Sequence, residues 1–313
     1  LRTAADLELP LIGVTLISRM GYFRQEITSS GEQIEHEDPW KPEDSAISLD
    51  AKIAVRIASR DIWVQAWLYI LEGHTHHPVP VILLDTDLTE NDAEDRKITH
   101  YLYGGDLEYR LKQEIVLGIG GVRALRALGI QPAVWHMNEG HSAFLSLERA
   151  YEFVKSGKSF DEAVEIIRSS TIFTTHTPVP AGSDQFPLWL IDKYFSHFWP
   201  ELGLDREQFY ELARQKVSWG ETFSMPILAF KFAAQRNGVS ELHGEVARKM
   251  WHSLWPERSV ADVPITYITN GIHTGTWLAI SWGLQQFPNK MGCVRTAGLH
   301  ASLCVREPIV CKL

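Results

Sequence analysis

Two stretches decide how this chain reads: AVWHMNEGHSAFLSLERA at residues 133–150 and TIFTTHTPVPAGSDQF at residues 171–186. Each opens as a short apolar run and ends in polar residues that a core would not keep. Ala133-Val134-Trp135 leads to His136, Asn138, Glu139 and His141, and Thr171-Ile172-Phe173 leads to Thr174, Thr175, His176 and Thr177. Pro178 then stops the second strand, because it lacks a backbone donor. Ligands of open α/β sheets bind outside the carboxyl ends of the strands, so two polar clusters at two strand ends predict one site.

Working outward, residues 9–18 (LPLIGVTLIS) form a continuous apolar run suited to a strand covered on both faces. Residues 21–26 read as a polar-aromatic turn. Residues 53–58 and 61–71 alternate as paired strands, with Trp63, Gln65, Trp67 and Tyr69 on one side, and residues 79–84 are a further buried strand. Residues 107–128 carry a helical apolar period stopped by Gly129. The embedded Gly118-Ile119-Gly120-Gly121 follows no strand, which favours close helix packing over a nucleotide loop. Helices are expected at 142–154, 160–169, 187–198, 205–217, 225–234 and 241–251, and a last strand at 263–269. Strands alternating with helices predict an α/β fold with a mostly parallel sheet.

The chain has 313 residues, 45% apolar and 22% charged, with a formal net charge of −9. That charge argues against a nucleic acid or an anionic membrane as partner. No apolar run reaches the roughly 20 residues of a membrane span. Cys293, Cys304 and Cys311 all fall near the end, in no zinc spacing, so the cysteine-free body fits a reducing cytoplasm. Metal readings are also disfavoured: His136, Glu139 and His141 give HxxExH, not HExxH, and His74, His76 and His77 sit in a turn before Pro78. Hydroxyl, amide and imidazole groups with one carboxylate around His176 suit a hydroxyl-rich ligand such as a sugar.

Beyond this point the residues resemble a known family. HMNEGHSAF (136–144), TTHTPVPAG (174–182), RNGVSELHGEV (236–246) and TNGIHTGTW (269–277) are similar to segments of the α-glucan (glycogen, starch or maltodextrin) phosphorylases, in the short bacterial and archaeal form. GYFRQEI (21–27) and residues 103–129 are similar too, in consistent order. The resemblance implies a Rossmann-like GT-B N-terminal domain, incomplete, over residues 1–279. It implies phosphorolysis of α-1,4-glucan ends by inorganic phosphate to glucose 1-phosphate in the cytoplasm. Pyridoxal 5'-phosphate is the family's cofactor.

By resemblance His176 contacts the transferred glucosyl unit, and Asn138, Glu139 and His141 line the pocket beside it. Thr177 and Asn270 would hold sugar hydroxyls, Trp277 would pack by the cofactor, and Asn237 would be structural near the domain interface. The Schiff-base lysine, the second domain and the family's early glycine-rich loop have no counterpart here. After Ala279 the resemblance stops, so residues 280–313 are expected to be a poorly ordered, possibly frameshifted tail. Alone, the chain is expected to be inactive. The alternatives are a non-catalytic glucan-binding piece, a glycogen synthase-like GT-B transferase and, more remotely, a metallohydrolase.

Overall fold

The computed structural model describes residues 1–313 except 22, 103, 104, 180, 181, 219, 274, 275, 277–308 and 313. A short helix α1 (Arg2–Asp6) precedes the apolar run, which forms β1 (Leu11–Leu16), buried along nearly all its length. Arg24–Ile27 is a strand, not a turn: β2 pairs with β3 (Gln33–His36) in a hairpin of its own. Both strands are polar and largely exposed, so no apolar alternation marked them.

The expected pair of strands is a long hairpin, β4 (Ile47–Ile57) and β5 (Arg60–Glu72), which runs on into β6 (Pro78–Asp85). Ile62, Val64 and Ala66 face the main core, while Trp67 packs on a second cluster with Ile17, Val81 and Leu83. The helical stretch is continuous but changes pitch: α2 (Ala93–Arg96) leads towards α3 (Leu107–Ile115), a π-helical turn spans Val116–Gly120, and α4 (Gly121–Ala127) follows. The glycines serve packing. A Cβ on Gly118 would stand 2.7 Å from the Cβ of Phe144, and one on Gly120 would stand 3.2 Å from Val55 Cγ2.

β7 (Val134–Asn138) is followed by α5 (Phe144–Lys155) and α6 (Phe160–Ser169), the latter closed by a Ser159–Glu162 capping box. β8 (Thr171–Thr174) comes next, then β9 (Gln185–Pro187) and α7 (Leu188–Phe195). The helix expected over 205–217 is shorter: α8 (Arg206–Glu211) gives way to β10 (Arg214–Val217), which pairs with β11 (Gly220–Ser224). β11 also pairs with β9, and cross-strand pairing overrides the local helical pattern. α9 (Met225–Lys231), β12 (Gln235–Gly238), α10 (Glu241–Met250) and a two-residue β13 (Thr266–Tyr267) complete the body. Ile309–Lys312, in the stretch expected to be poorly ordered, forms β14, whose backbone pairs with both β1 and β7.

The main sheet has nine strands in the order β13-β12-β8-β7-β14-β1-β6-β5-β4. It is a mixed sheet: β7, β8, β12 and β13 are mutually parallel, as are β1 and β6, whereas β14 and the β4–β5–β6 run pair antiparallel. The expectation of a mostly parallel sheet is corrected to that extent, because the hairpin extends the main sheet. Among the described residues no helix is long and apolar enough to cross a membrane.

Candidate functional site

Parallel register brings the carboxyl ends of β7, β8 and β12 level, with Asn138 opposite Thr174 and Thr174 opposite Asn237. His176 follows β8 by two residues, and its Nε2 donates to Asn138 Oδ1 at 2.8 Å. The amide oxygen can only accept, so this bond places a proton on Nε2. The two predicted strand-end clusters do form one constellation.

Glu139 holds that constellation together. Its carboxylate Oε1 accepts the backbone N–H of Thr177 at 2.8 Å, the Thr175 hydroxyl at 3.3 Å, and the backbone N–H of His176. Its own N–H donates to Thr174 O at 2.8 Å, which extends the β7–β8 ladder by one residue. Glu139 is 6% exposed, and its backbone sits at φ 72° and ψ 173°, a region that strongly favours glycine. Gly140 must follow, because a Cβ there would lie 2.9 Å from Pro226 N at the start of α9.

Below the loop runs a buried polar chain. His136 Nε2 meets Thr174 Oγ1 at 2.7 Å, and Thr174 donates onward to Asn237 Oδ1 at 3.0 Å. The single threonine proton goes to Asn237, so His136 is the donor of the pair. Burial, reinforced by the neighbouring His176, pushes the His136 pKa down to about 4 and keeps it neutral near pH 7.

Beside the loop a cleft of about 410 Å³ is lined by Glu139, His141 and Thr177 from the predicted set, and by Arg110, Ser183 and Asp184. Arg110 Nη2 donates to Asp184 Oδ2 at 2.7 Å, and His141 Nδ1 lies 3.6 Å from the same oxygen. Burial would raise the Asp184 carboxyl, but the His141 hydrogen bond and the Arg110 charge outweigh it, and the group stays ionised well below the usual carboxylate range. Glu114, one turn on from Arg110 and 2% exposed, is driven the other way: burial, first, and the Asp184 charge raise its carboxyl well above the usual range. Residue-by-residue reading missed this group. Its one local signal was the i, i+4 spacing of Arg110 and Glu114 on α3.

Asn270 is exposed, and its N–H donates to Val239 O at 2.9 Å, so it leaves β13 beside the strand next to His176's own. Trp277 lies outside the described residues. The HxxExH residues do not converge: His136 is bound to Thr174, and His141 to Asp184. The assembled groups are neutral donors and acceptors around one held imidazole, with an ion pair at the cleft wall. They suit orientation of a polyhydroxylated ligand, and no serine or cysteine among them is paired with a base as a nucleophile would be.

No family model matches the chain. Curated proteins do. A maltodextrin phosphorylase of Thermococcus litoralis is 42% identical over 285 residues, covering 89% of this chain and 33% of that protein. A glycogen phosphorylase of Mycobacterium tuberculosis is 42% identical over 302 residues, 90% of this chain and 34% of its own length. A glycogen phosphorylase of Aquifex aeolicus is 32% identical over 288 residues, covering 40% of its length. The chain thus spans about a third of the length of the first two relatives.

Proposed function

We propose that this chain, which belongs to the α-glucan phosphorylase family along the part of its relatives' length that it spans, forms the sugar-holding side of a glucan phosphorylase cleft. In this reading residues 1–279 are part of an N-terminal GT-B domain, and the mixed α/β sheet with its ligand groups at parallel strand ends supports it. The reaction is transfer of the terminal glucosyl unit of an α-1,4-glucan to inorganic phosphate. The glycosidic C1–O bond breaks, a C1–O bond to phosphate forms, and a phosphate proton passes to the departing oxygen of the shortened glucan.

One observation carries the proposal: Glu139 pins the backbone of residues 176 and 177 while Asn138 fixes the tautomer of His176. A histidine held at backbone and ring presents fixed hydrogen-bonding groups to a sugar, so little reorganisation is needed as charge develops at C1. His141 and Thr177 line the cleft beside that loop and would bind hydroxyls, with Asn270 supplied from the strand beyond β12. None of these side chains forms a covalent bond to the sugar.

Pyridoxal 5'-phosphate, the family's cofactor, does not fit the described cleft by itself. No lysine lines it, so it offers no amine for a Schiff base. The role derived for these residues is therefore confined to binding and orientation.

The test is a chimera in which this chain replaces the aligned segment of the Thermococcus litoralis relative. Phosphate-dependent release of glucose 1-phosphate from maltodextrin is expected, with a loss of at least about 100-fold on His176→Ala. A folded chimera that binds maltodextrin but releases no glucose 1-phosphate would support glucan binding without turnover instead. The metallohydrolase reading requires activity that a chelator removes, so release of glucose 1-phosphate that survives chelation in the same preparation rules it out.

A further inference from the structure

Three segments far apart in sequence meet on the side of α1. The turn between β5 and β6 presses against it so closely that a Cβ on Gly73 would lie 2.5 Å from the carbonyl carbon of Ala5. Asp6 Oδ1 accepts the backbone N–H of His74 at 2.8 Å. The other oxygen, Oδ2, faces two imidazoles, His273 Nε2 at 2.7 Å and His74 Nε2 at 3.7 Å. The two rings stack with centroids 5.8 Å apart. One donor atom from each residue lies within 4.8 Å of the others, and among the described residues no other group of three His, Cys, Asp or Glu does so.

We propose that Asp6, His74 and His273 form a binding site for a zinc-class divalent cation. Ligand atoms about 2.0–2.2 Å from a tetrahedral zinc ion are separated by roughly 3.3 Å, a spacing that the observed contacts bracket. Two imidazole nitrogens and one carboxylate favour zinc over calcium or magnesium, which take shells of oxygen. The outer contact is also present: Thr276 Oγ1 lies 2.5 Å from His273 Nδ1 and accepts from Arg2 at 3.3 Å.

As the ring stands, Nε2–H donates to Asp6 and Nδ1 accepts the backbone N–H of Thr276 at 3.1 Å. Metal on Nε2 moves that proton to Nδ1, which then donates to Thr276 Oγ1, the partner a ligating histidine uses to fix its tautomer. His74, with 74% of its side chain exposed, rotates onto the ion from solvent. The ion would staple α1, the β5–β6 turn and the segment three residues beyond Asn270. Its role is structural.

The experiment titrates the tag-free, chelator-stripped full chain with ZnCl2 by calorimetry and follows thermal unfolding with and without saturating zinc. One equivalent is expected, with a zinc-dependent rise in melting temperature and no response to MgCl2. Asp6→Asn and His273→Ala should lose tenfold or more in affinity. His74→Ala removes an exposed side chain that the fold does not need, and should lose as much while melting normally without zinc. His76→Ala and His77→Ala should bind as before. Absence of stoichiometric binding overturns the proposal. So does binding that His74→Ala leaves intact, or that His76→Ala and His77→Ala remove equally.

Discussion

Two buried carboxylates close two strands of the same sheet, and they are satisfied in different ways. Asp85 ends β6, is fully buried, and is met by side chains: Arg19 Nη2 at 2.6 Å and Trp67 Nε1 at 3.1 Å, with the Asp87 N–H at 3.0 Å. Glu139 follows β7 and is met largely by backbone, the N–H groups of residues 176 and 177. A charge answered by a guanidinium and an indole consumes those side chains and leaves a rigid strand end. A charge answered by loop amides leaves the neighbouring His176 ring and Asn138 amide to bond each other and to meet a ligand. The first arrangement stabilises, and the second prepares a site.

Removing Asp85 should therefore have the largest effect. Asp85→Ala leaves the Arg19 charge and the Trp67 N–H without their buried acceptor and should cost about 3–5 kcal/mol, read from the midpoint of guanidinium unfolding. A loss below about 1 kcal/mol would remove the distinction between the two ends.

Acid should distinguish them next. His136 is held neutral in the fold with a pKa near 4, whereas an unfolded histidine titrates near 6.5. Between those values the unfolded chain binds the proton and the folded chain does not. The stability present above pH 6.5 is therefore lost as pH falls towards 4, by up to about 3 kcal/mol. Denaturation curves at a series of pH values should steepen in that window, and His136→Asn should flatten the slope. An unchanged slope in the variant would show that the polar chain under β8 contributes nothing to it.

Glu139→Ala should cost about 2 kcal/mol through two lost charge-assisted backbone bonds, and should abolish glucan binding measured by calorimetry. Glu139→Gly keeps the same loss of clamp but relaxes the left-handed backbone, so it should recover about 1 kcal/mol of stability without recovering binding. Asp85→Gly should show no such recovery, since the left-handed region is a feature of Glu139 and not of Asp85. The smallest stability effect belongs to His176→Ala, within about 0.5 kcal/mol of the parent, because its partner Asn138 can turn to water. Its binding loss should nevertheless equal that of Glu139→Ala.

Much of this contrast was legible in the amino-acid order. A short apolar run that stops in polar residues marks a strand end, and two such ends separated by a helical interval place Asn138 and His176 side by side once the strands are parallel. Asp85 follows the apolar run at 79–84 in the same way, a polar residue closing a buried strand. The hairpin β2–β3 and the strands β10 and β11 were not legible, since short strands of polar or mixed residues carry no period strong enough to oppose a helical pattern. The Arg110–Asp184 pair was also hidden: each residue looks like an ordinary surface charge until α3 and the loop after β8 are brought together.

The sequence by itself determined which segments become buried strands and helices, where the strands end, and the family likeness carried by ordered blocks around those ends. These are local properties, set by side-chain period and by residues such as Pro178 and Gly129. Only the tertiary structure decided what each polar group faces. Glu139 reaches the loop after β8 because β7 and β8 are neighbours in parallel register, and Asp6 meets His273 because the chain returns to its own beginning after 267 residues. Such contacts depend on the order of strands in the sheet, and no local pattern of side chains encodes that order.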